Sequence, residues 1–196
     1  MTSGAPRCSR LPKTRINTDQ VKADRVQARA RRIRLILLDV DGVLTDGTVV
    51  MHGDGTESKG FYIRDGAAIV WAQQAGVQVG VLSARASAAT TQRAVQLGMT
   101  IIAQGAASKT AEFERILADT GLKAEAVAYM GDDLLDIPVL HRAGLGGAPA
   151  DAAEEVRAQA HWVSGQRGGR GAVREFIELV LRAQGEWDAI VQDFSA

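Results

Sequence analysis

Asp39 and Asp41 stand two residues apart, directly after the apolar run Leu-Ile-Leu-Leu at residues 35–38. A short apolar run that ends at a turn signal is typical of a buried parallel strand, and open parallel sheets bind ligands beyond the carboxyl ends of their strands. Two carboxylates placed so close repel each other unless a cation or a proton lies between them. The pair therefore indicates a metal-assisted reaction in which one carboxylate is the nucleophile.

Three further segments carry polar residues at the ends of predicted elements. Ser83 follows a second predicted strand, Lys109 begins a helix, and Asp132 follows a third long strand. In a parallel sheet these residues would meet the two aspartates at one edge, where an anion bound with Mg²⁺ would use all of them. The ammonium, the hydroxyl and the N–H groups of a helix start suit phosphate oxygens. We therefore predict phosphate chemistry, with Asp39 attacking phosphorus and Asp41 serving first as the acid and then as the base.

The elements that must position these residues alternate between strand and helix. The sequence predicts strands over 35–38, 77–82, 99–103 and 126–130, a short edge element at 145–146 and a last strand at 161–163. It predicts helices over 67–75, 87–97, 108–120, 134–142, 151–158 and 172–184, and a β-hairpin from 47–51 and 57–63. Asp65 and Asp151 are expected to cap the helices that follow them. Repeated alternation with short links favours an α/β fold, a doubly wound, Rossmann-like parallel sheet.

Length and composition are those of an ordinary globular protein. The chain has 196 residues, of which 46% are hydrophobic and 23% charged, enough for one domain with a real core. The single cysteine, Cys8, excludes an intrachain disulfide and fits a reducing compartment. No apolar run approaches the roughly 20 residues of a membrane helix, and the first residues lack the apolar core of a signal peptide. We therefore expect a cytoplasmic protein with no membrane partner.

Charge is distributed unevenly along the chain. Residues 1–34 carry ten Arg or Lys against two Asp, whereas residues 35–196 carry 13 basic residues against 21 acidic ones. We predict a basic, disordered extension over 1–32, one domain over 33–186 and a C-terminal tail over 187–196. The extension could touch nucleic acid or an acidic surface, although a solvated tail is the simpler interpretation. The acidic domain itself argues against nucleic acid as a partner.

Four segments resemble, in order, the motifs of the haloacid dehalogenase (HAD) superfamily of phosphatases. They are the segment Asp-Val-Asp-Gly-Val at 39–43, Ser83, Lys109 and the segment Gly-Asp-Asp at 131–133. The resemblance implies that Asp39 is the nucleophile and Asp41 the acid and base. It implies that Ser83 and Lys109 bind phosphate. It also implies that Asp39, Asp41 (through its main-chain carbonyl) and Asp132 hold Mg²⁺, with Asp133 outside the direct ligands.

Longer stretches resemble the capless family of 3-deoxy-D-manno-octulosonate (KDO) 8-phosphate phosphatases. They are DVDGVLTDG at 39–47, ESKGFYIRDG at 57–66, GDDLLDIPV at 131–139 and GGRGAVREFIELVLRAQG at 168–185. The resemblance implies hydrolysis of KDO 8-phosphate through an aspartyl-phosphate, in lipopolysaccharide synthesis. It also implies a homotetramer in which the hairpin of one subunit closes the site of the next. The short spacing between the first motif and the predicted helix at 67 leaves room for a hairpin flap but not for a cap domain.

Three basic residues are candidates for binding the carboxylate of a sugar acid. Arg85 lies two residues after Ser83 and can bind a carboxylate bidentately. Lys59 and Arg64 flank the second strand of the predicted hairpin and could reach the sugar acid in their own or a neighbouring subunit. A solvated surface charge is the alternative for each of the three.

Two other functions remain open at this point. The motifs bear only on the phosphoryl group, so a nine-carbon sialic-type sugar acid 9-phosphate is an alternative substrate. A non-catalytic assembly module of the same fold is the alternative from another class. The glycine-rich segment 165–171 could bind phosphate, contact another subunit or be a plain loop, since it lacks the Lys-Ser/Thr ending of a P-loop.

Overall fold

A six-stranded parallel sheet lies at the centre of the protein in the computed structural model, which describes residues 18–195. The strands of this sheet are β1 (Leu35–Leu38), β4 (Gln78–Leu82), β5 (Ile101–Ala103), β6 (Val127–Met130), β7 (Leu145–Ala148) and β8 (Trp162–Val163). Their order across the sheet is β5-β4-β1-β6-β7-β8, and every neighbouring pair is parallel. Strands β2 (Val50–Met51) and β3 (Glu57–Ser58) form a separate antiparallel hairpin. The predicted doubly wound α/β fold is confirmed.

Helices cover both faces of the sheet. They are α1 (Thr18–Ala30), α2 (Ile63–Gln74), α3 (Ala88–Gln96), α4 (Lys109–Thr120), α5 (Ile137–Leu140), α6 (Glu154–Gln159), α7 (Ala172–Gln184) and α8 (Trp187–Asp193). Because side chains alternate along a strand, Ile36 and Leu38 of β1 join one core with α1, α2, α3, α7 and α8. Leu35 and Leu37 join a second core with α4, α5 and α6. All four side chains are fully buried, which explains the continuous apolar run that precedes Asp39.

The order of the strands reverses beside β1. The chain moves outward from β1 to β4 and β5, then crosses back to β6 and continues outward to β7 and β8. In open α/β sheets a crevice forms beyond the carboxyl ends of the strands at such a reversal. The segments that follow β1, β4 and β6 therefore share one crevice.

Serine caps fix where two of the helices begin. The Ser87 hydroxyl accepts a hydrogen bond from Thr90 N–H at the start of α3, and the Ser108 hydroxyl accepts one from Ala111 N–H at the start of α4. As a result, Lys109 is the first residue of α4, as the sequence predicted.

Between β1 and α2 lie only the short turn at Val40–Leu44 and the hairpin, and between β4 and α4 lie only α3 and β5, in this fully described part of the chain. A cap domain is therefore absent at both places, as predicted. The hairpin strands are shorter than predicted, and α2 begins at Ile63, the last residue of the expected second strand. None of the described helices has both the length and the apolar character that crossing a membrane requires.

The predicted disorder of the N-terminal extension is wrong for residues 18–30. These residues form α1, which packs beside α7. Val26 and Ala30, four residues apart, are buried on one face of the helix, and the Gln184 side chain donates to the carbonyls of Ala30 and Ile33. Residues 1–17 lie outside the described part of the chain. The predicted C-terminal tail also contains a helix, α8, which is anchored by the buried ring of Trp187.

Two aspartates cap different segments from those expected. Asp65 lies in the first turn of α2, where it is buried and accepts hydrogen bonds from the N–H groups of Gly171 and Arg174 at the start of α7. Asp151 lies before α6 and accepts instead from Arg167 and from the N–H of Gly168. Both carboxylates therefore hold the glycine-rich segment that precedes α7.

Candidate active site

A cavity of about 230 Å³ lies beyond the carboxyl ends of β1, β4 and β6. It brings together six of the predicted site residues, namely Asp39, Asp41, Ser83, Arg85, Lys109 and Asp132. Segments separated by up to about 90 residues in the chain thus line a single pocket, because parallel strands end at the same edge of the sheet. The predicted convergence of these side chains is observed, while their individual roles remain predictions.

The loop after β1 carries Asp39 and Asp41 in a tight turn. The turn is closed by a hydrogen bond of 3.0 Å from Thr45 N–H to the Val40 carbonyl. Gly42 has a φ of +89°, and a Cβ atom there would lie 2.0 Å from Asp132 Oδ2. Only glycine at position 42 lets the loop approach the Asp132 carboxylate so closely.

Three carboxylates crowd together where a cation could bind. Oxygen atoms of Asp39, Asp132 and Asp136 all lie within 4.8 Å of one another. Asp132 Oδ1 is buried and has no hydrogen-bond partner among the described residues. A buried, unpartnered carboxylate oxygen beside a second carboxylate is costly, and a hard divalent cation such as Mg²⁺ would satisfy it. The residues present therefore fit the predicted metal.

Proton affinity in this cluster is high because the acids are crowded and desolvated. Burial raises the pKa of Asp132 to about 8, and the charges of Asp39 and Asp136 add to the rise. Burial also raises the pKa of Asp39 to about 6, although Lys109 opposes the rise. With a pKa of about 8, Asp132 needs a further positive charge nearby to be ionised at neutral pH, which again favours a cation beside these acids.

Asp136 is a site residue that the sequence analysis missed. Its Oδ1 accepts hydrogen bonds from Lys109 Nζ (2.6 Å) and the Tyr129 hydroxyl (2.5 Å). Its Oδ2 accepts from the N–H groups of Asp132 (2.9 Å) and Asp133 (3.1 Å). These four donors use the capacity of the carboxylate, so Asp136 orients its neighbours and has no lone pair left for a metal. The spacing of Asp136, four residues after Asp132 in the last motif, was the available signal.

Lys109 is a buried cation held between two carboxylates. Its Nζ lies 3.0 Å from Asp39 Oδ1 and 2.6 Å from Asp136 Oδ1. Burial disfavours the charged ammonium, but the two carboxylates outweigh burial and raise the pKa of Lys109 above its ordinary value. Burial and the charge of Asp136 raise the pKa of Tyr129 well above its usual range, so its hydroxyl stays a donor. A fixed positive charge beside Asp39 is suited to a phosphate oxygen.

Ser83 lines the same cavity. Ser83 is buried at the end of β4, and its main chain bonds to Ala103 and Ala106, which fixes the turn. Its hydroxyl accepts a hydrogen bond of 3.3 Å from Arg85 N–H and retains its own proton for another acceptor. The methyl group of Ala84 also lines the cavity.

Asp41 lies apart from the acidic cluster and faces basic side chains. Lys59 Nζ donates a hydrogen bond of 2.6 Å to Asp41 Oδ1, and an Arg85 nitrogen lies 3.5 Å from Asp41 Oδ2. Arg85 also donates a bond of 2.7 Å to Glu57 in β3. The hairpin, the turn after β4 and the loop after β1 are thus joined by one group of charges. Asp133, by contrast, is exposed and accepts a hydrogen bond from the next residue, Leu134.

Arg64 does not reach the cavity of its own chain. It is an exposed residue of α2 and lines a different cavity of about 280 Å³, whose other walls include Arg170 and Arg174 of the glycine-rich segment and α7. Arg64 therefore lines a different cavity of its own chain from the one that holds Asp39 and Lys109. A contribution to a neighbouring subunit stays a prediction.

The glycine-rich segment 165–171 supports the loop after β1. Gly169 N–H donates a hydrogen bond of 2.8 Å to the Val43 carbonyl, and a Cβ atom on Gly168 would lie 1.7 Å from the Gly42 carbonyl oxygen. Its arginines are paired, Arg167 with Asp151 and Arg170 with Asp46. Within a single chain, this segment packs against the loop after β1 that carries Asp39 and Asp41 (the aspartate loop) and supports it.

Comparisons with known proteins agree with this geometry. The sequence profile of the haloacid dehalogenase-like hydrolases matches residues 95–177. A 3-deoxy-D-manno-octulosonate 8-phosphate phosphatase of Escherichia coli K12 is 43% identical over 168 residues, which cover 86% of this chain and 89% of that protein. The corresponding enzyme of Salmonella typhi is 41% identical over 163 residues and covers similar shares, 83% and 87%.

Solved structures give the same result. A probable YrbI family phosphatase from Pseudomonas syringae is 42% identical, with a TM-score of 0.87, and the match covers 88% of this chain and 98% of that one. A 3-deoxy-D-manno-octulosonate 8-phosphate phosphatase from Moraxella catarrhalis, solved with a magnesium ion, a phosphate ion and a KDO molecule, is 35% identical with a TM-score of 0.85. That match covers 87% of this chain and 98% of that chain.

Proposed function

The chain belongs to the haloacid dehalogenase superfamily and, within it, to the family of KDO 8-phosphate phosphatases, and we propose on this basis that it hydrolyses KDO 8-phosphate to KDO and inorganic phosphate. The single observation that carries the proposal is the cavity in which a carboxylate, Asp39, lies 3.0 Å from a buried ammonium, Lys109, and beside a second acid with an unpartnered oxygen. A phosphomonoester needs such a nucleophile, such a cation and such a metal position.

Asp39 is the proposed nucleophile. Its carboxylate attacks phosphorus in line with the bond to the sugar, which gives an aspartyl-phosphate as the P–O bond to the sugar breaks. Asp41 gives a proton to the departing sugar oxygen and then takes one from the water that hydrolyses the aspartyl-phosphate. The product phosphate and the free carboxylate of Asp39 complete the cycle.

Two residues are proposed to hold the phosphoryl group while the bonds change. Lys109 places its ammonium on a phosphoryl oxygen, and its position is fixed by Asp136. Ser83 donates its hydroxyl hydrogen to another oxygen. Both side chains are buried at the ends of secondary-structure elements, so little reorganisation is needed when the substrate binds.

Mg²⁺ is the proposed metal, and Asp39, Asp132 and the main-chain carbonyl of Asp41 are the residues that would hold it. When bound, the ion supplies positive charge against the phosphoryl oxygens and separates the mutually repelling acids. The unpartnered Oδ1 of Asp132 supports this assignment from the protein side.

The experiment that tests the function is phosphate release from a panel of sugar phosphates, with Mg²⁺ and with EDTA. We expect KDO 8-phosphate to give the highest kcat/KM and EDTA to abolish turnover. A higher kcat/KM for a nine-carbon sialic-type 9-phosphate would reassign the substrate within the same chemistry. If no ester is hydrolysed, with or without Mg²⁺, a non-catalytic module would be favoured.

Assembly and location are further parts of the proposal. We propose a homotetramer in which the hairpin of one subunit covers the cavity of the next. Val50 and Met51 of the hairpin support this, since they are 52% and 65% exposed in the single chain and offer an apolar surface. We also propose a cytoplasmic enzyme of lipopolysaccharide precursor synthesis. The mass in solution, measured by light scattering, tests the tetramer.

A further inference from the structure

Lys59 is the least exposed charged group in contact with Asp41. The Lys59 side chain is 1% exposed, although its neighbours in the hairpin are open to solvent. Its Nζ lies 2.6 Å from Asp41 Oδ1 and 3.9 Å from Glu57 Oε1. A buried ammonium this close to one carboxylate is neither a solvated surface charge nor a group free to meet a ligand.

Asp41 depends on Lys59 for its orientation. Among the described residues, the carboxylate of Asp41 receives hydrogen bonds from Lys59, at 2.6 Å, and from Arg85, at the limiting distance of 3.5 Å. Arg85 is about half exposed and its shorter bond, 2.7 Å, goes to Glu57. The short and buried contact is therefore the one that sets the rotamer of Asp41.

The hairpin supplies this contact because of its pairing. Val50 pairs with Ser58 and Met51 with Glu57, so the residue that follows β3 is carried back towards the loop after β1. Glu57 Oε2 anchors the strand to Arg85 at the turn after β4. Strand β3 is thus tied to the two loops that must flank a bound phosphate.

We propose, on the basis of the proposed phosphatase function, that Lys59 is a positioning residue that holds the Asp41 carboxyl group at the leaving oxygen. Lys59 acts through Asp41 and does not recognise the substrate carboxylate. Proton transfer requires the two heavy atoms to be within hydrogen-bond reach, so a carboxyl group that rotates away loses its share of the rate. The rate should therefore fall for substrates whose leaving group must be protonated as it departs.

The test compares leaving groups in Lys59→Met, Lys59→Arg and a control, Lys123→Met, which removes an exposed lysine far from the cavity. The substrates are KDO 8-phosphate, a neutral sugar 6-phosphate and p-nitrophenyl phosphate, whose phenolate leaves without a proton. The readout is kcat/KM with Mg²⁺, which reports the steps up to departure of the leaving group. Thermal melting checks that each variant is folded.

We expect Lys59→Met to lower kcat/KM about 10-fold or more for both sugar esters and less than about 3-fold for the aryl ester, as general acid catalysis requires. Lys59→Arg should restore part of the loss, and Lys123→Met should match the wild type. In an Asp41→Asn background, Lys59→Met should add almost no further loss on sugar esters, because both changes remove the same step.

Two results would overturn the proposal. Equal losses for sugar and aryl esters would show a general structural role. A loss confined to the sugar acid, seen as a higher KM, would show that Lys59 binds the substrate carboxylate. If Lys59→Met does not fold, two other variants test the proposal. They are Lys59→Arg and the double variant Asp41→Asn/Lys59→Met, and the measure is the loss of kcat/KM on sugar esters relative to the loss on the aryl ester. Failure of the wild type to prefer KDO 8-phosphate would change the substrate but leave the ratio between neutral sugar and aryl esters as a valid test.

Discussion

Lys109 donates a hydrogen bond of 2.6 Å to Asp136, a carboxylate with no exposure to solvent. The same oxygen of Asp136 also accepts from Tyr129, and its other oxygen holds two main-chain N–H groups of the loop after β6. One buried acid therefore fixes both the ammonium of Lys109 and the loop that carries Asp132.

Asp136→Asn should weaken both folding and catalysis. The substitution removes the charge that balances Lys109 and places an amide where four donors need acceptors, and breaking a buried pair costs about 3–5 kcal/mol. We expect a fall of that order in the free energy of unfolding, measured by urea denaturation, and a large loss of kcat. Asp133→Asn is the matched control, because Asp133 is exposed, and it should change stability by less than about 1 kcal/mol. Equal stability of the two variants would contradict the role given to Asp136.

The metal-free protein should lose stability as pH rises. The folded pKa values of Asp39 (about 6) and Asp132 (about 8) lie above the ordinary value of 3.8, so the native state binds more protons than the unfolded state between these limits. Stability that is fully present below pH 3.8 is then lost through about pH 6 and pH 8. Urea denaturation in EDTA at several pH values measures how the free energy of unfolding changes with pH.

Addition of Mg²⁺ should reverse this trend. The ion competes with protons for the same carboxylates, so its stabilisation of the fold should be larger at pH 8 than at pH 6. Asp132→Asn should remove most of this difference. A stability in EDTA that is flat with pH, or a Mg²⁺ increment independent of pH, would contradict the proposed metal position.

Gly168→Ala should displace the aspartate loop, because Gly168 packs directly against Gly42 in that loop. The added Cβ would lie 1.7 Å from the Gly42 carbonyl oxygen, and neither main chain can move without shifting Asp39 or Asp41. We expect a loss of about 1–3 kcal/mol in stability, as for other overpacked sites, together with a lower kcat. Gly165→Ala is the control, since its nearest neighbour would be 3.8 Å away, and it should behave like the wild type. If both variants keep full activity, the glycine-rich segment does not position the loop.

The edge of the sheet where the chemistry lies could be predicted from local patterns. Buried strands appear as apolar runs; Asp39 and Ser83 each follow one directly, and Asp132 follows one after Gly131. Parallel pairing then brings those ends together without any knowledge of side-chain contacts. Lys109 could be placed because it lies at the start of the helix predicted over 108–120, and the Ser108 cap fixes that start in the structure.

Other features depend on contacts between distant segments and could not be predicted. Asp136 turns under the loop because residues 134–136 form a 3₁₀ turn, whereas a regular helix was expected there. Asp65 looks like a local cap in the sequence, but its partners, Gly171 and Arg174, are more than a hundred residues away. Helix α1 is rich in basic residues, and its narrow apolar stripe, which includes Val26 and Ala30, becomes buried only through packing against α7.

Asp39→Asn tests the central claim most directly, that Asp39 is the nucleophile in a shared metal and phosphate site. The amide keeps the size of the side chain but cannot attack phosphorus. With KDO 8-phosphate and Mg²⁺, we expect kcat to fall at least about 10⁴-fold, as for other essential nucleophiles, while Asp188→Asn on the exposed face of α8 stays at the wild-type rate. Wild-type turnover by a folded Asp39→Asn variant would contradict the claim.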